Sequence, residues 1–267
     1  MSLVKQLVIK GLSQRVLPGP SKRFIFVYHD VSDPNALQYS KLYSTRPEAF
    51  REQINFFADH FTFDSLDDII SRDVNGGDRP RAAVTFDDGF LSVREIAFPY
   101  LAKNGIPFTV FANRNAIASN TLANGMNQDV GASGKKIFLD QDDIRFLHAE
   151  GVTIGSHGAS HRMLLDCDDA TLRDEIDGNK NYLENLIGSS VLHIALPFGK
   201  REHYDQRVLD RCFQAGHRYV YSSNPTYFDT SSDAYKTRLI PRIGVLNDTP
   251  AELTFLINRP LVKTINI

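Results

Sequence analysis

Residues 82–112 read AAVTFDDGFLSVREIAFPYLAKNGIPFTVFA, and their reading decides the fold. Ala82 to Phe86 (AAVTF) is a short apolar run of the kind that fills a strand buried on both faces. Ser92 to Lys103 carries apolar residues at helical spacing, and Phe108 to Ala112 (FTVFA) is a second short apolar run. Two strands joined through a helix of this length pair in parallel, because a tight turn reverses the chain and only a crossover returns it.

The same rhythm extends in both directions. Phe24 to Tyr28 reads as a buried strand and Arg46 to His60 as a helix, with Phe50, Ile54, Phe56 and Phe57 as its apolar residues. Downstream, Asp140 to Glu150 reads as a helix with Ile144 and Leu147 inward. Val152 to Ser156 is a strand, and Ala170 to Ile187 is a long helix capped by Asp168 or Asp169. His193 to Leu196 is a strand, Tyr204 to Ala215 a helix and Arg218 to Ser222 a strand; Leu239 to Val245 is a last strand, and Thr249 starts a last helix. About seven strand–helix units suit a closed or nearly closed barrel better than an open sheet. The expectation is a single α/β domain over residues 22–267, preceded by a basic amphipathic segment over residues 1–21.

Bulk properties exclude several classes. The 267 residues are 42% hydrophobic and 23% charged, enough apolar material for one sizeable core and too much for disorder. A net charge of -2 gives no electrostatic reason to expect nucleic acid. The two cysteines, Cys167 and Cys212, have no CxxC spacing, so they read as small apolar residues, Cys167 included despite its closeness to His161. Without a disulfide framework, a signal-like apolar run or a spanning segment, the expected location is the cytoplasm.

The N-terminus adds a qualification. Leu3, Val4, Leu7, Val8, Leu12 and Val16 form one helical stripe, and Lys5, Lys10 and Arg15 lie among them. Two readings fit: a helix packed on the barrel, or an interfacial helix over residues 2–17 resting on the inner face of an anionic membrane.

Three clusters carry chemistry, each directly after a strand. Thr85-Phe86-Asp87-Asp88-Gly89 sets two adjacent carboxylates at a strand end, where a metal or a shared proton would relieve their repulsion. His157-Gly158-Ala159-Ser160-His161 has His-x-x-x-His spacing, which on a helical turn would put both imidazoles on one side. Parallel barrels gather strand C-termini on one face, so the clusters would meet there. Two imidazoles and one carboxylate leave positions open for water and substrate, as hydrolytic metal sites do. Ala195-Leu196-Pro197-Phe198-Gly199 ends a further strand in a turn. Arg114 to Phe138, rich in Asn, Gly, Ala and Ser and without a period, should lie over the same face.

At this point the sequence resembles the polysaccharide deacetylases of carbohydrate esterase family 4. Thr85 to Gly89 matches the family's TFDDG motif. His157 to His161 followed by Leu164 matches H-S/T-x-x-H-x-x-L, with Gly158 in place of Ser or Thr. Pro197-Phe198 falls where the family has R-x-P-Y, and Tyr28-His29, Phe50 to Gln53 and Leu66-Asp67-Asp68 resemble the opening of many members. The resemblance spans about residues 22 to 245. It implies an irregular (β/α)7 barrel, TIM-like, and a divalent metal, usually zinc, held by Asp88, His157 and His161. It also implies Asp87 as general base and the Phe198 backbone N–H as oxyanion donor, with Pro197 and Phe198 against the substrate.

Three departures accompany it. Ala195 stands where many members carry an Arg, no His follows His217, and there is no Trp. His29 is the first candidate for the missing proton donor, and Arg242 is the candidate to replace the missing Arg and to bind substrate with Pro197 and Phe198; His203 and His217 read as surface or helix-end residues. The implied activity is removal of an N-acetyl group from an amino sugar in surface polysaccharide biosynthesis, the sugar lipid- or nucleotide-linked. Alternatives are a deformylase or other linear-amide hydrolase of the same mechanism, and a non-catalytic metal-binding homologue.

Overall fold

The structure is a computed structural model that describes residues 18–33, 35, 43–71, 78–121 and 136–262. Among these residues one sheet dominates. Its strands are β1 (Arg23–Tyr28), β2 (Thr62–Phe63), β3 (Arg81–Phe86), β4 (Phe108–Ala112), β5 (Thr153–Ser156), β6 (His193–Ala195), β7 (Tyr219–Tyr221), β8 (Leu239–Ile240) and β9 (Ile243–Gly244). They run in the order β8-β7-β6-β5-β4-β3-β1-β9, with β2 beside β3 and every pairing parallel. The helices are α1 (Pro47–His60), α2 (Leu66–Ser71), α3 (Phe98–Lys103), α4 (Arg114–Ser119), α5 (Gln141–Ala149), α6 (Asp169–Arg173), α7 (Asn179–Ile187), α8 (Gln206–Gln214), α9 (Asp233–Thr237) and α10 (Pro250–Val262). This is the expected TIM-like α/β barrel. None of the described helices is long and apolar enough to cross a membrane.

The predicted last strand is two strands. β8 pairs with β7 and β9 pairs with β1, so consecutive pieces of chain sit at opposite ends of the sheet. Pro241, which has no N–H to give a ladder, and Arg242 separate them. The seam of the barrel is therefore closed by covalent chain, and Arg242 stands in it. Two predicted helices also contain π turns: Val93–Ala97 runs into α3, and Asp174–Gly178 joins α6 to α7. Asp168, not Asp169, is the cap there, accepting from the Thr171 amide.

Alternation along the strands divides the core. On β1, Phe24, Phe26 and Tyr28 pack outward against Phe50, Phe57 and Phe61 of the α1 layer. Ile25 faces the barrel interior with Ala83, Phe111, Ala195, Tyr221 and Ile240, and Leu66, Ile69 and Ile70 of α2 join that cluster. Gly155 has a packing reason: a Cβ there would lie 2.5 Å from the Phe111 ring. The expected irregular stretch from Arg114 begins as helix α4, and Phe138 bridges to Phe90. The rest of that stretch, residues 122–135, and the amphipathic reading of residues 2–17 lie outside the described residues.

Candidate active site and metal centre

Asp87 continues the inward alternation of Ala83 and Thr85 beyond the end of β3. Its two oxygens accept from Arg242 Nη1 and Nη2, each at 2.7 Å, in a buried bidentate pair. Arg242 also reaches Thr85 Oγ1 at 3.3 Å and lies over the Phe111 ring at 5.2 Å. Burial pushes the Asp87 carboxyl up, but the charge and hydrogen bonds of the Arg242 guanidinium outweigh it and hold it well below the usual range. Asp87 is thus kept as a carboxylate.

Asp88 should point outward by alternation, but its φ of 69° turns the chain left-handed and returns the side chain to the barrel mouth. His157 Nε2 lies 3.5 Å from Asp88 Oδ1, and His161 Nε2 lies 3.4 Å from the same oxygen. The His157 Nδ1 faces the Ala195 carbonyl at 2.9 Å. A carbonyl only accepts, so Nδ1 carries the hydrogen and Nε2 presents a lone pair. Burial draws both imidazoles down to about 4, so they are neutral near pH 7. The contact is therefore acceptor against acceptor. Both Asp88 oxygens are buried without a hydrogen-bond partner, and burial raises that carboxyl. Only a cation or a proton makes such an arrangement favourable. Ligand atoms of Asp88, His157 and His161 all lie within 4.8 Å of one another, a donor set that fits a divalent metal.

The His-x-x-x-His segment is not a helical turn. It is a loop in which Gly158 (φ 75°) and His161 (φ 59°) are both left-handed. Phe198 is left-handed too, at 61°. Three of the five non-glycine residues with positive φ among those described therefore belong to this site. Such conformations persist only where the surroundings impose them. The Phe198 turn is pinned by Ser223, whose amide donates to the Gly199 carbonyl at 2.7 Å. Phe198 itself is over a third exposed at the cleft mouth, where its ring meets His161 at 4.8 Å.

Val27, His29, Tyr43, Asp87, Asp88, His157, His161, Phe198, Lys200, His203, Ser223 and Gly244 line one cleft. The structure thus gathers Asp87, Asp88, His157, His161, His29 and Phe198, with Arg242 beneath and Pro197 in the adjoining turn. His203, read as a surface or helix-end residue, does end a short 3-10 turn (Arg201–His203), and it also lines the cleft with its ring against Phe198. His217 is a correction: it is buried at the far end of the barrel, away from the site. Cys167 is half-buried and outside the ligand group. Tyr43, Lys200 and Ser223 carried no sequence signal, because nothing in their local pattern marks a cleft.

A family model described as polysaccharide deacetylase matches residues 75–220. The chain is 21% identical over 210 residues to YxkH of Bacillus subtilis (strain 168), assigned as a polysaccharide deacetylase. That match covers 77% of this chain and 66% of the relative, so the chain spans just under two thirds of the relative's length. Solved structures share the fold. The Streptococcus pyogenes deacetylase PplD in complex with acetate superposes with a TM-score of 0.68 at 18% identity, over 93% of this chain and 100% of that one. BC0361, a polysaccharide deacetylase from Bacillus cereus, gives 0.69 at 20%, over 88% and 69%. A de-N-acetylase from Aggregatibacter actinomycetemcomitans gives 0.69 at 16%, over 85% and 96%. With that family model matched over more than half of its 267 residues, the chain belongs to the polysaccharide deacetylase family.

Proposed function

We propose that the protein is a metal-dependent hydrolase that removes the N-acetyl group from an amino sugar, an intermediate of surface polysaccharide biosynthesis. One observation carries the metal dependence: a buried carboxylate without a donor, Asp88, facing two neutral imidazole nitrogens. Asp88, His157 and His161 would hold the ion, zinc by the nature of the donors. Bound there, the metal supplies Lewis acidity toward the acetyl carbonyl and lowers the pKa of water.

The chain's own residues divide the remaining work. Asp87, fixed as a carboxylate by Arg242, takes the proton of the attacking water. The Arg242 pair orients both carboxylate oxygens and does the task expected of the Arg that Ala195 replaces. The Phe198 backbone N–H, in its left-handed turn at the cleft mouth, donates to the oxyanion as the carbonyl carbon becomes tetrahedral. The C–N bond then breaks, the sugar nitrogen takes a proton, and acetate and the free amine leave. His29 is the proposed donor of that proton. It lines the cleft and is near enough to bias the charges of Asp87, Asp88 and His161. The relatives support the acyl group: one solved structure of this fold is a de-N-acetylase and another holds acetate.

The direct test is acetate release from N-acetylated amino sugars, free and in oligomers, by purified zinc-loaded protein. Asp87→Asn should retain the metal while kcat falls by about 10²- to 10⁴-fold, the usual contribution of a general base. His29→Gln should lower kcat more than His203→Gln. Full metal occupancy with no acetate from any amino sugar would overturn the reading; formate release from N-formyl sugars would replace it with deformylation.

A further inference from the structure

We propose that Glu175 is a positioning residue for the metal centre, holding the strained loop that carries His161 by accepting both donors of Ser160. This rests on the metal reading of Asp88, His157 and His161. The loop between the two histidines has no helical hydrogen bonds of its own, and His161 sits at φ 59°. A side chain in that region costs about 1–2 kcal/mol per residue, so the loop needs an external hold.

Two buried side chains supply it. Asn113 Nδ2 donates to the carbonyls of His157 at 2.5 Å and Gly158 at 3.0 Å. Glu175, only 3% exposed, accepts from the Ser160 amide at 2.9 Å and from the Ser160 hydroxyl. Arg162 Nε lies 3.9 Å from the same carboxylate and donates to Ser160 Oγ at 3.2 Å. The fit is close: a Cβ on Gly158 would lie 3.1 Å from Glu175 Oε2 and 3.3 Å from Pro197 Cγ. Gly158, standing where the family motif has Ser or Thr, leaves space for the carboxylate. Glu175 and Pro197 thus both close on the space beside Gly158.

Glu175 reaches the loop from the π turn Asp174–Gly178. One position past that turn, Asn179 faces the same way and holds three further points near the site. Its Nδ2 donates to the Ala112 carbonyl and to Ser156 Oγ, and its Oδ1 accepts from the Arg114 amide. π turns inside helices frequently mark functional sites, and here the wider turn aims two polar side chains at the segments flanking β4 and β5. Partners that orient metal ligands typically change metal affinity by about 10- to 100-fold when removed.

The test reads zinc affinity by competition with a chromogenic chelator, with circular dichroism to confirm folding. Glu175→Ala should weaken zinc binding by about 10- to 100-fold. Glu175→Gln should recover most of it, since its oxygen can accept from the Ser160 amide and its nitrogen can donate to the hydroxyl. Ser160→Ala should cost less than Glu175→Ala and add nothing to it in the double variant. The visible absorption of the cobalt-loaded protein should change in the Ala variants as His161 shifts. If Glu175→Ala does not fold, Ser160→Ala and Glu175→Gln carry the test. Folded Ala variants that bind zinc as the parent does, or a Gln variant as weak as Ala, overturn the proposal. A parent protein that takes no zinc is a separate outcome: it removes the metal reading first and this proposal with it.

Discussion

The two ends of the barrel bury similar polar side chains and treat them differently. At the N-terminal end, His193 is sealed from solvent, yet both ring nitrogens meet a partner: Tyr221 Oη at 2.8 Å and Asp67 Oδ1 at 3.2 Å. Arg23, equally buried, donates to the Ile70 carbonyl, and Arg81 pairs with Asp64. At the C-terminal end, Asp88 has no partner, and Asp88, His161 and Phe198 are held in left-handed conformations. The same chain that satisfies an Asp–His–Tyr chain below leaves an Asp–His–His set open above. The orphaned carboxylate is therefore not poor packing. Strained backbone clusters at functional sites, and here it surrounds the carboxylate that lacks a hydrogen-bond donor.

The strongest way to break this contrast is to remove a histidine from each end. His157→Ala or His161→Ala should lose the metal and reduce acetate release to background, because two ligands hold a divalent ion poorly. His193→Ala should lower the melting temperature but leave activity per folded molecule and metal content nearly intact. Metal analysis and kcat on the same samples decide it, and equal loss of activity from both ends would erase the distinction.

Arg242 tests the one pair at the open end that is satisfied. Arg242→Met should cost about 3–5 kcal/mol, because it leaves the Asp87 charge buried alone. The Asp87→Asn/Arg242→Met double variant should recover much of that stability but no activity. Denaturant titrations of the three variants measure the coupling; a double variant as unstable as Arg242→Met would show that the guanidinium stabilises the seam itself rather than Asp87.

A smaller effect should reverse sign with the metal. In metal-free protein, Asp88→Asn should be neutral or stabilising by about 1 kcal/mol, since it removes a buried unpaired carboxylate. In the presence of zinc the parent should become the more stable of the two, by the binding linkage that the variant lacks. Melting temperatures with and without zinc give the answer. The same order of stability under both conditions would mean that Asp88 is not a ligand.

What could be read from the sequence follows from how local each signal is. Strands β1 and β3 to β7 announce themselves as apolar runs; the Asp87-Asp88 pair and His157 directly follow two of them, and His161 comes four residues after His157. β2 escapes because two residues carry no period. The split of β8 from β9 escapes because an apolar run does not say which neighbour each half will pair with. Arg242 was legible as a candidate, but its position under Asp87 depends on closing the seam, which is a property of the whole barrel. The π turns leave the hydrophobic spacing of their helices almost unchanged, so Glu175 reads as one more charge on a solvated face. His217 was misread for the same reason: a polar residue just after a helix looks exposed until the next strand buries it.

His217 offers the smallest and most discriminating test, because its buried ring departs from the pattern of His193 at the same end. It is buried, and its ring makes no well-formed hydrogen bond, only a weak contact with the Val191 backbone. Burial, with the nearby Lys180 charge and His193 adding to it, draws it from 6.5 down to about 3. Between those values the unfolded chain binds a proton that the folded chain refuses, so stability is full above about pH 6.5 and is lost as pH falls toward 3. His157 and His161, drawn down to about 4, act in the same direction in metal-free protein. The difference between parent and His217→Leu isolates the far end. Melting temperatures from pH 7 to 4 should fall by a few degrees less in the variant, and zinc should leave that difference unchanged while altering both curves. Parallel curves would mean that His217 is charged or hydrated in the fold. A difference that vanished on adding zinc would tie His217 to the catalytic end and undo the separation between the two ends of the barrel.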